Sequence, residues 1–185
     1  MILTVLWEDS RSPRANKFGP DLLLRACVAD DLGTSPNRLE RYVVPQPRKG
    51  NGSVVKALRQ DLERLVRSGP VFAVIDRDKV KQLVASGLDI PDCRAEICAR
   101  FRAKAPGDYE LVLLEDNMES LIAAACTAMG LEPPGKKPSP DERDRILARA
   151  AWATSPERRR VREVCPTFDR IVLRVAAALQ GLREA

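Results

Sequence analysis

VFAVID at residues 71–76 is the predicted central strand of this chain, and Arg77 and Asp78 follow it directly. Its first five residues are apolar, which is typical of a central parallel strand that is covered on both faces. The strand therefore ends on one acid, and a second acid stands two positions later. Because residues two apart in an extended segment point the same way, Asp76 and Asp78 are predicted to face one ligand.

Two other apolar stretches end on acids in the same manner. ILTVLW at 2–7 reads as a first strand and is followed by Glu8 and Asp9. YELVLLED at 109–116 reads as a later strand and carries Glu115 near its end. A further strand is predicted over RLERYVV at 38–44, before a Pro/Gly loop at 45–53 in which Ser53 caps the next helix.

Segments with helical spacing separate and follow these strands. This alternation predicts an α/β fold with a mostly parallel central sheet, helices on both faces and a helical C-terminal extension. A Pro/Gly-rich break at 131–140 divides an expected core, 1–130, from the extension, 131–185. The predicted helices cover 20–30, 54–66, 79–86, 91–105, 117–130, a segment from residue 139 or 140, and 166–183.

Composition limits the chemistry that this chain can perform. It has 185 residues and a formal net charge of +5, with basic clusters such as ERRRVRE at 157–163. That charge suits nucleic-acid binding, and an arginine-rich solvated surface explains it equally well. The chain has no histidine, which excludes histidine triads and histidine-liganded metal sites. A cation with oxygen ligands, Mg²⁺ or Mn²⁺, is the metal that remains.

The cysteines and the hydropathy pattern indicate a cellular location. Five cysteines, an odd number without a C-x-x-C pair, favour a reducing compartment. No stretch is long and apolar enough to span a membrane, and the N-terminus lacks the features of a signal peptide. We therefore expect a cytoplasmic protein without a membrane partner. Trp7 and Trp152 are predicted to be core residues, because aromatics are 4% of the chain and are not interleaved with basic residues.

The acids at the strand ends predict a metal site. Carboxyl ends of parallel strands meet at one edge of a sheet, so Glu8 is expected beside Asp76 and Asp78. Clustered carboxylates repel one another unless a cation neutralises them, and Mg²⁺ binds such oxygens. The alternative is that these acids are ordinary turn residues or helix caps.

The arrangement resembles the TOPRIM fold of topoisomerases, bacterial primases and the nuclease domains of overcoming-lysogenization-defect proteins. In that family a glutamate follows the first strand and a D-x-D follows a later central strand. Glu8 in VLWEDS and Asp76 and Asp78 in VFAVIDRDKV match those positions. Asp9 stands where the family often has glycine, and it is a further candidate ligand. The resemblance implies a Mg²⁺- or Mn²⁺-dependent nuclease in which these three acids are catalytic, with Glu8 as a metal ligand or a general base.

A group of small bacterial TOPRIM-like proteins, often associated with phage-defence loci, is a closer likeness. They share a glycine-containing loop, here PRKGNGSVVKAL, and an acid that opens a late helix, here in LLEDNMESLI. The likeness implies Glu119, with Glu115 as the other candidate, for a second metal ion. Lys49 and Arg77 are candidate phosphate contacts, and a solvated loop lysine is the other interpretation of Lys49.

Three functions remain open on the sequence. The first is a TOPRIM-type nuclease, a hydrolase of DNA or RNA and a possible antiviral effector. The second is a non-catalytic partner or regulatory module, for example of an ATPase subunit, and self-association into a homo-oligomer is open in either case. The third, a receiver-type phosphotransfer domain, needs a late-strand lysine that the chain does not offer. Topoisomerase-type strand passage is not expected, because Tyr42 and Tyr109 lie on predicted strands.

Overall fold

The structure is a computed structural model of the chain. It describes residues 2–9, 18–49, 51–76, 109–114 and 118–184, without certain side chains that include those of Asp9, Lys49 and Asp76. The strands are β1 (Leu3–Asp9), β2 (Val43–Lys49), β3 (Val71–Asp76) and β4 (Tyr109–Leu114). The helices are α1 (Gly19–Asp31), α2 (Pro36–Leu39), α3 (Asn51–Gln60), α4 (Leu62–Val66), α5 (Met118–Ala128), α6 (Pro140–Ala151), α7 (Ser155–Val164) and α8 (Pro166–Glu184).

The chain divides into two compact units. We call Met1–Ser12 together with Val44–Glu115 the sheet unit, and Pro13–Val43 together with Asp116–Ala185 the helical unit. These bounds differ from the predicted division after residue 130, because α1 packs against α6, α7 and α8 and α5 packs against α6 and α7. Helices on both sides of residue 130 thus share one core.

The sheet has the strand order β2-β1-β3-β4. β1 pairs with β3 in parallel, Thr4 beside Val71, and β3 pairs with β4 in parallel, Val71 beside Tyr109. The predicted α/β class is therefore confirmed with a three-stranded parallel sheet. The placement of helices on both faces stays a prediction, and the helices predicted over 79–86 and 91–105 lie outside the described residues.

The predicted strand over 38–44 is wrong in position. The short helix α2 ends at Leu39, and β2 runs over Val43–Lys49, through the segment predicted as a loop. Pro45 and Pro47 lie within this strand. Because proline has no backbone N–H to donate, such residues suit an edge strand, and β2 is at the edge of the sheet.

The helix that follows β2 begins earlier than predicted. α3 starts at Asn51, so Ser53 lies inside the helix and not at its cap. The single helix expected over 54–66 is divided at Asp61 into α3 and α4. α3 contacts β1 and β3, and it buries Val54 and Ala57.

The helical unit is built on α1. α1 (Gly19–Asp31) confirms the helix predicted over 20–30. α5, α6 and α8 confirm the later predicted helices, and Ser139 caps α6. The amide of Gly19 donates to Asp144 Oδ1 at 3.3 Å. A Cβ at Gly19 would lie 2.7 Å from the Asp144 carbonyl oxygen, so glycine permits the close approach of α1 to α6.

Helix α7 was not predicted, although the sequence carries its start signal. Thr154 and Glu157 form a capping box, in which Thr154 accepts from the Glu157 amide and the Glu157 carboxylate accepts from the Thr154 amide. This T-x-x-E spacing is recognisable in a sequence.

Two arginines of the basic cluster at 157–163 are paired with aspartates inside the helical unit. The Arg158 guanidinium donates to both oxygens of Asp30, at 2.7 and 2.6 Å. Arg162 binds Asp31 and Asp169, both at 2.6 Å. The two arginines thereby tie α7 to α1 and α8, and they are not free charges for an external ligand.

The two tryptophans have opposite environments. Trp7 in β1 is fully buried, which confirms its prediction as a core residue. The same prediction is wrong for Trp152, which caps the C-terminus of α6 and is 76% exposed. No helix in the described part of the chain has the length and apolar character that a membrane span requires.

Candidate functional site

The candidate site lies at the carboxyl ends of β1 and β3. These strands are neighbours and run parallel, so their C-terminal ends are at the same edge of the sheet. Glu8 is the last residue but one of β1, and Asp76 is the last residue of β3. Two acids that are remote in sequence are thus brought to one edge of the sheet unit.

The register adds Asp9 to this set. Trp7 of β1 pairs with Val74 of β3. Beyond this pair β1 continues through Glu8 to Asp9, and β3 continues through Ile75 to Asp76. The last residues of the two strands therefore lie at the same edge of the sheet. The sequence alone could not place Asp9 relative to Asp76, because register is fixed by pairing between distant strands.

Glu8 is not a solvated turn residue. It lies within β1, and only 8% of its surface is exposed. The neighbouring Trp7 is fully buried. Burial of a carboxylate is costly unless a hydrogen bond, an opposite charge or a cation compensates it. The interpretation of Glu8 as an ordinary turn acid is therefore wrong.

Strand β4 extends the same edge. Asp76 pairs with Leu114, the last residue of β4. Glu115, the predicted acid of that strand, lies one position beyond and outside the described residues. Asp78 and Arg77 also lie outside them, so their predicted roles stay predictions.

Glu119 belongs to the helical unit and has a basic partner. It lies in the first turn of α5, where a carboxylate is favoured by the helix dipole. Its Oε1 atom is 2.8 Å from the Lys137 ammonium, with 37% of the Glu119 side chain and 79% of the Lys137 side chain exposed. A metal ion at Glu119 would have to compete with this lysine.

Lys49 is the last residue of β2 and not part of a glycine loop. Since its side chain lies outside the described residues, its predicted phosphate contact stays a prediction. The neighbouring Arg48 guanidinium donates to Gln46 Oε1 at 2.9 Å and lies 3.9 Å from Asp61. These contacts occupy Arg48 within the sheet unit.

The donor chemistry at the edge fits a hard divalent cation. Glu8, Asp9 and Asp76 offer carboxylate oxygens, which Mg²⁺ accepts one or two at a time while it keeps several waters. Among the side chains that the structure describes, no three His, Cys, Asp or Glu residues form a metal-binding group. The side chains of Asp9 and Asp76 are not among those.

Comparison of the chain with protein-family models, with curated proteins and with solved structures finds no match.

Proposed function

We propose that this chain is a TOPRIM-like nuclease that depends on Mg²⁺ or Mn²⁺. The observation that carries the proposal is the meeting of acid-ended, parallel neighbours β1 and β3, with Glu8 almost wholly buried beside that edge. A parallel sheet binds ligands at this edge. The matches of Glu8, Asp76 and Asp78 to the TOPRIM pattern support the same assignment.

In this proposal the acids have different chemical roles. Asp76 and Asp78 hold the cation, and Glu8 serves either as a further ligand or as the general base that takes a proton from water. A divalent cation bound there supplies positive charge to a phosphodiester. Arg77 and Lys49 are proposed to contact phosphate oxygens, as basic side chains do in nucleic-acid complexes.

The proposal extends to the cellular setting. The substrate is DNA or RNA, and the resemblance to phage-defence proteins suggests an antiviral role. A cytoplasmic location agrees with the buried thiols of Cys27 and Cys126, neither of which forms a disulfide. Burial raises the pKa of Cys27 to about 12, so this thiol is inert rather than a nucleophile.

The test is a cleavage assay on plasmid and single-stranded nucleic acid, with Mg²⁺, with Mn²⁺ and with EDTA. The wild-type protein should cleave only with metal, and Asp76→Ala/Asp78→Ala should be inactive. The matched control is Glu63→Ala/Glu132→Ala, which removes two exposed acids and should cleave as the wild type does. Cleavage that survives the Asp76/Asp78 change would overturn the assignment of the site.

A non-catalytic module for a partner such as an ATPase is the competing function. The ion pair of Glu119 with Lys137 favours it, because that carboxylate is engaged elsewhere than at a second metal ion. The same assay separates the two functions. Absence of both cleavage and Mg²⁺ or Mn²⁺ binding by calorimetry would reject the nuclease and favour the module.

A further inference from the structure

The exposed Trp152 ends a row of side chains that the proposed metal site does not use. Arg145, Arg149 and Trp152 are spaced by four and three residues along α6 and its C-cap, so they lie on one face of the helix. All three are exposed. We call these three residues the Arg-Trp stripe.

Both arginines of the Arg-Trp stripe are available to an external anion. Neither Arg145 nor Arg149 forms an ion pair with any residue in the described ranges, whereas Arg158 and Arg162 are both paired with aspartates. Unpaired guanidinium groups on one helix face are the usual contacts of nucleic-acid phosphates.

Arg158 holds the backbone around Trp152 in place. Its guanidinium donates to the carbonyl of Ala151 at 3.1 Å and to the carbonyl of Ala153, on either side of Trp152. Asp30 in turn holds this guanidinium through two hydrogen bonds. An indole on a fixed backbone loses little conformational freedom when a flat ligand stacks on it.

The size and charge of the face define what fits on it. From Arg145 to Trp152 the helix rises about 10 Å, which matches about three nucleotides of a strand with ~3.4 Å between neighbours. Asp141 and Glu142 lie on the first turn of the same face and are exposed. Their charge repels phosphate and limits a bound strand to the C-terminal part of α6.

We propose that the Arg-Trp stripe binds single-stranded nucleic acid, with a base stacked on the Trp152 indole and phosphates against Arg145 and Arg149. A single strand fits better than a duplex, because duplex bases are already stacked on one another and do not present a face to the indole. The unpaired positive charge favours a polyanion over a protein surface. The inference rests on the proposed function in one respect, which is that the bound strand is the substrate of the nuclease.

The intrinsic fluorescence of the protein tests this directly. The chain has two tryptophans, and since Trp7 is fully buried, quenching by an added strand reports Trp152. The full-length Asp76→Ala/Asp78→Ala protein is titrated in EDTA with a short single-stranded oligonucleotide and with a duplex of the same length. We expect quenching and tighter binding with the single strand.

Variants of the Arg-Trp stripe then assign the contacts. Binding is followed by the anisotropy of a labelled strand. Trp152→Ala should weaken it by about 5- to 150-fold, and Trp152→Phe should retain most of the affinity. Arg145→Gln/Arg149→Gln should lower the slope of log affinity against log salt by about 1.4. Arg159→Gln/Arg160→Gln, which removes the same charge from exposed positions of α7, should leave the slope unchanged.

Four outcomes would overturn the inference, and a fifth separates it from the proposed nuclease. Equal binding of duplex and single strand, an unchanged affinity of Trp152→Ala, or an equal slope change in the α7 control would show general electrostatic attraction without the stripe. Self-association that Trp152→Ala abolishes, without oligonucleotide binding, would make Trp152 a protein contact. A wild-type protein that binds strands through Trp152 but never cleaves them would reject the proposed nuclease and leave this inference standing.

Discussion

The sheet unit and the helical unit use charge in opposite ways. The sheet unit collects acids, Glu8 and Asp76, at the ends of two parallel neighbours, where only long-range pairing can bring them together. The helical unit neutralises Arg158 and Arg162 internally and leaves basic residues and an indole on the outer face of one helix. A cation suits the first arrangement and a polyanion suits the second. The two proposals therefore assign cleavage to the sheet unit and recognition of the strand to the helical unit.

The largest effect that tests this separation is expected from Glu8→Gln. The amide keeps the shape of the side chain and removes its charge. A bound cation would then lose a carboxylate ligand, or the attacking water would lose its general base. Loss of several kcal/mol of transition-state stabilisation corresponds to at least about a 100-fold drop in kcat/KM. Affinity for a single strand in EDTA should be unchanged.

Glu63→Gln, an exposed acid of α4, is the control for the charge change and should cleave normally. If Glu8→Gln weakened strand binding as much as cleavage, the assignment of chemistry to the sheet unit and recognition to the helical unit would be wrong.

The next effect concerns a buried carboxyl of the helical unit. Asp21 is fully buried in α1, and its Oδ2 atom lies 2.8 Å from Arg25 Nε. Burial raises the pKa of Asp21 from 3.8 to about 7, because it outweighs the attraction of the Arg25 guanidinium. The folded state therefore holds a proton that the unfolded state releases near pH 4.

A raised folded-state pKa has a definite sign in stability. The contribution of Asp21 to the free energy of unfolding is fully present below pH 3.8 and is lost as the pH rises through about 7. The free energy of unfolding in urea, followed by circular dichroism, should fall over this interval relative to that of Asp21→Asn, which has no such group. An Asp21→Asn curve that runs parallel to that of the wild type would contradict the prediction.

The smallest effect compares two glycines of the helical unit. Gly19→Ala places a Cβ within 3 Å of backbone atoms of Asp144, and such overpacking costs about 1–3 kcal/mol. Gly181 is exposed in α8 and has open space around it. Gly181→Ala should therefore stabilise the helix by about 0.5–1 kcal/mol. Urea unfolding should therefore shift in opposite directions.

The same pair shows whether the two units unfold together. In a Trp152→Phe background, fluorescence reports Trp7 of the sheet unit, while circular dichroism reports mainly the helices. Coincident transitions in Gly19→Ala would indicate cooperative unfolding. A shift seen by circular dichroism alone would show that the helical unit loses stability by itself.

Elements with strong periodicity were predictable from the local sequence. The apolar runs predicted β1, β3 and β4, and the helical spacing predicted α1, α5, α6 and α8, since a buried face imposes its period locally. The acids Glu8 and Asp76 were recognisable from their positions after such runs. The absence of histidine limited the chemistry without reference to any structure.

Features that depend on distant partners could be recognised only in the folded chain. Strand order made a proline-containing segment acceptable as the edge strand β2. Parallel pairing of β1 with β3 put Asp9 and Asp76 at the same edge of the sheet. Packing of α1 on the C-terminal helices set the division into units. Burial separated Trp7 from Trp152, which have the same side chain and opposite environments. Local sequence fixes the period of an element, but register and exposure are set by what packs against it.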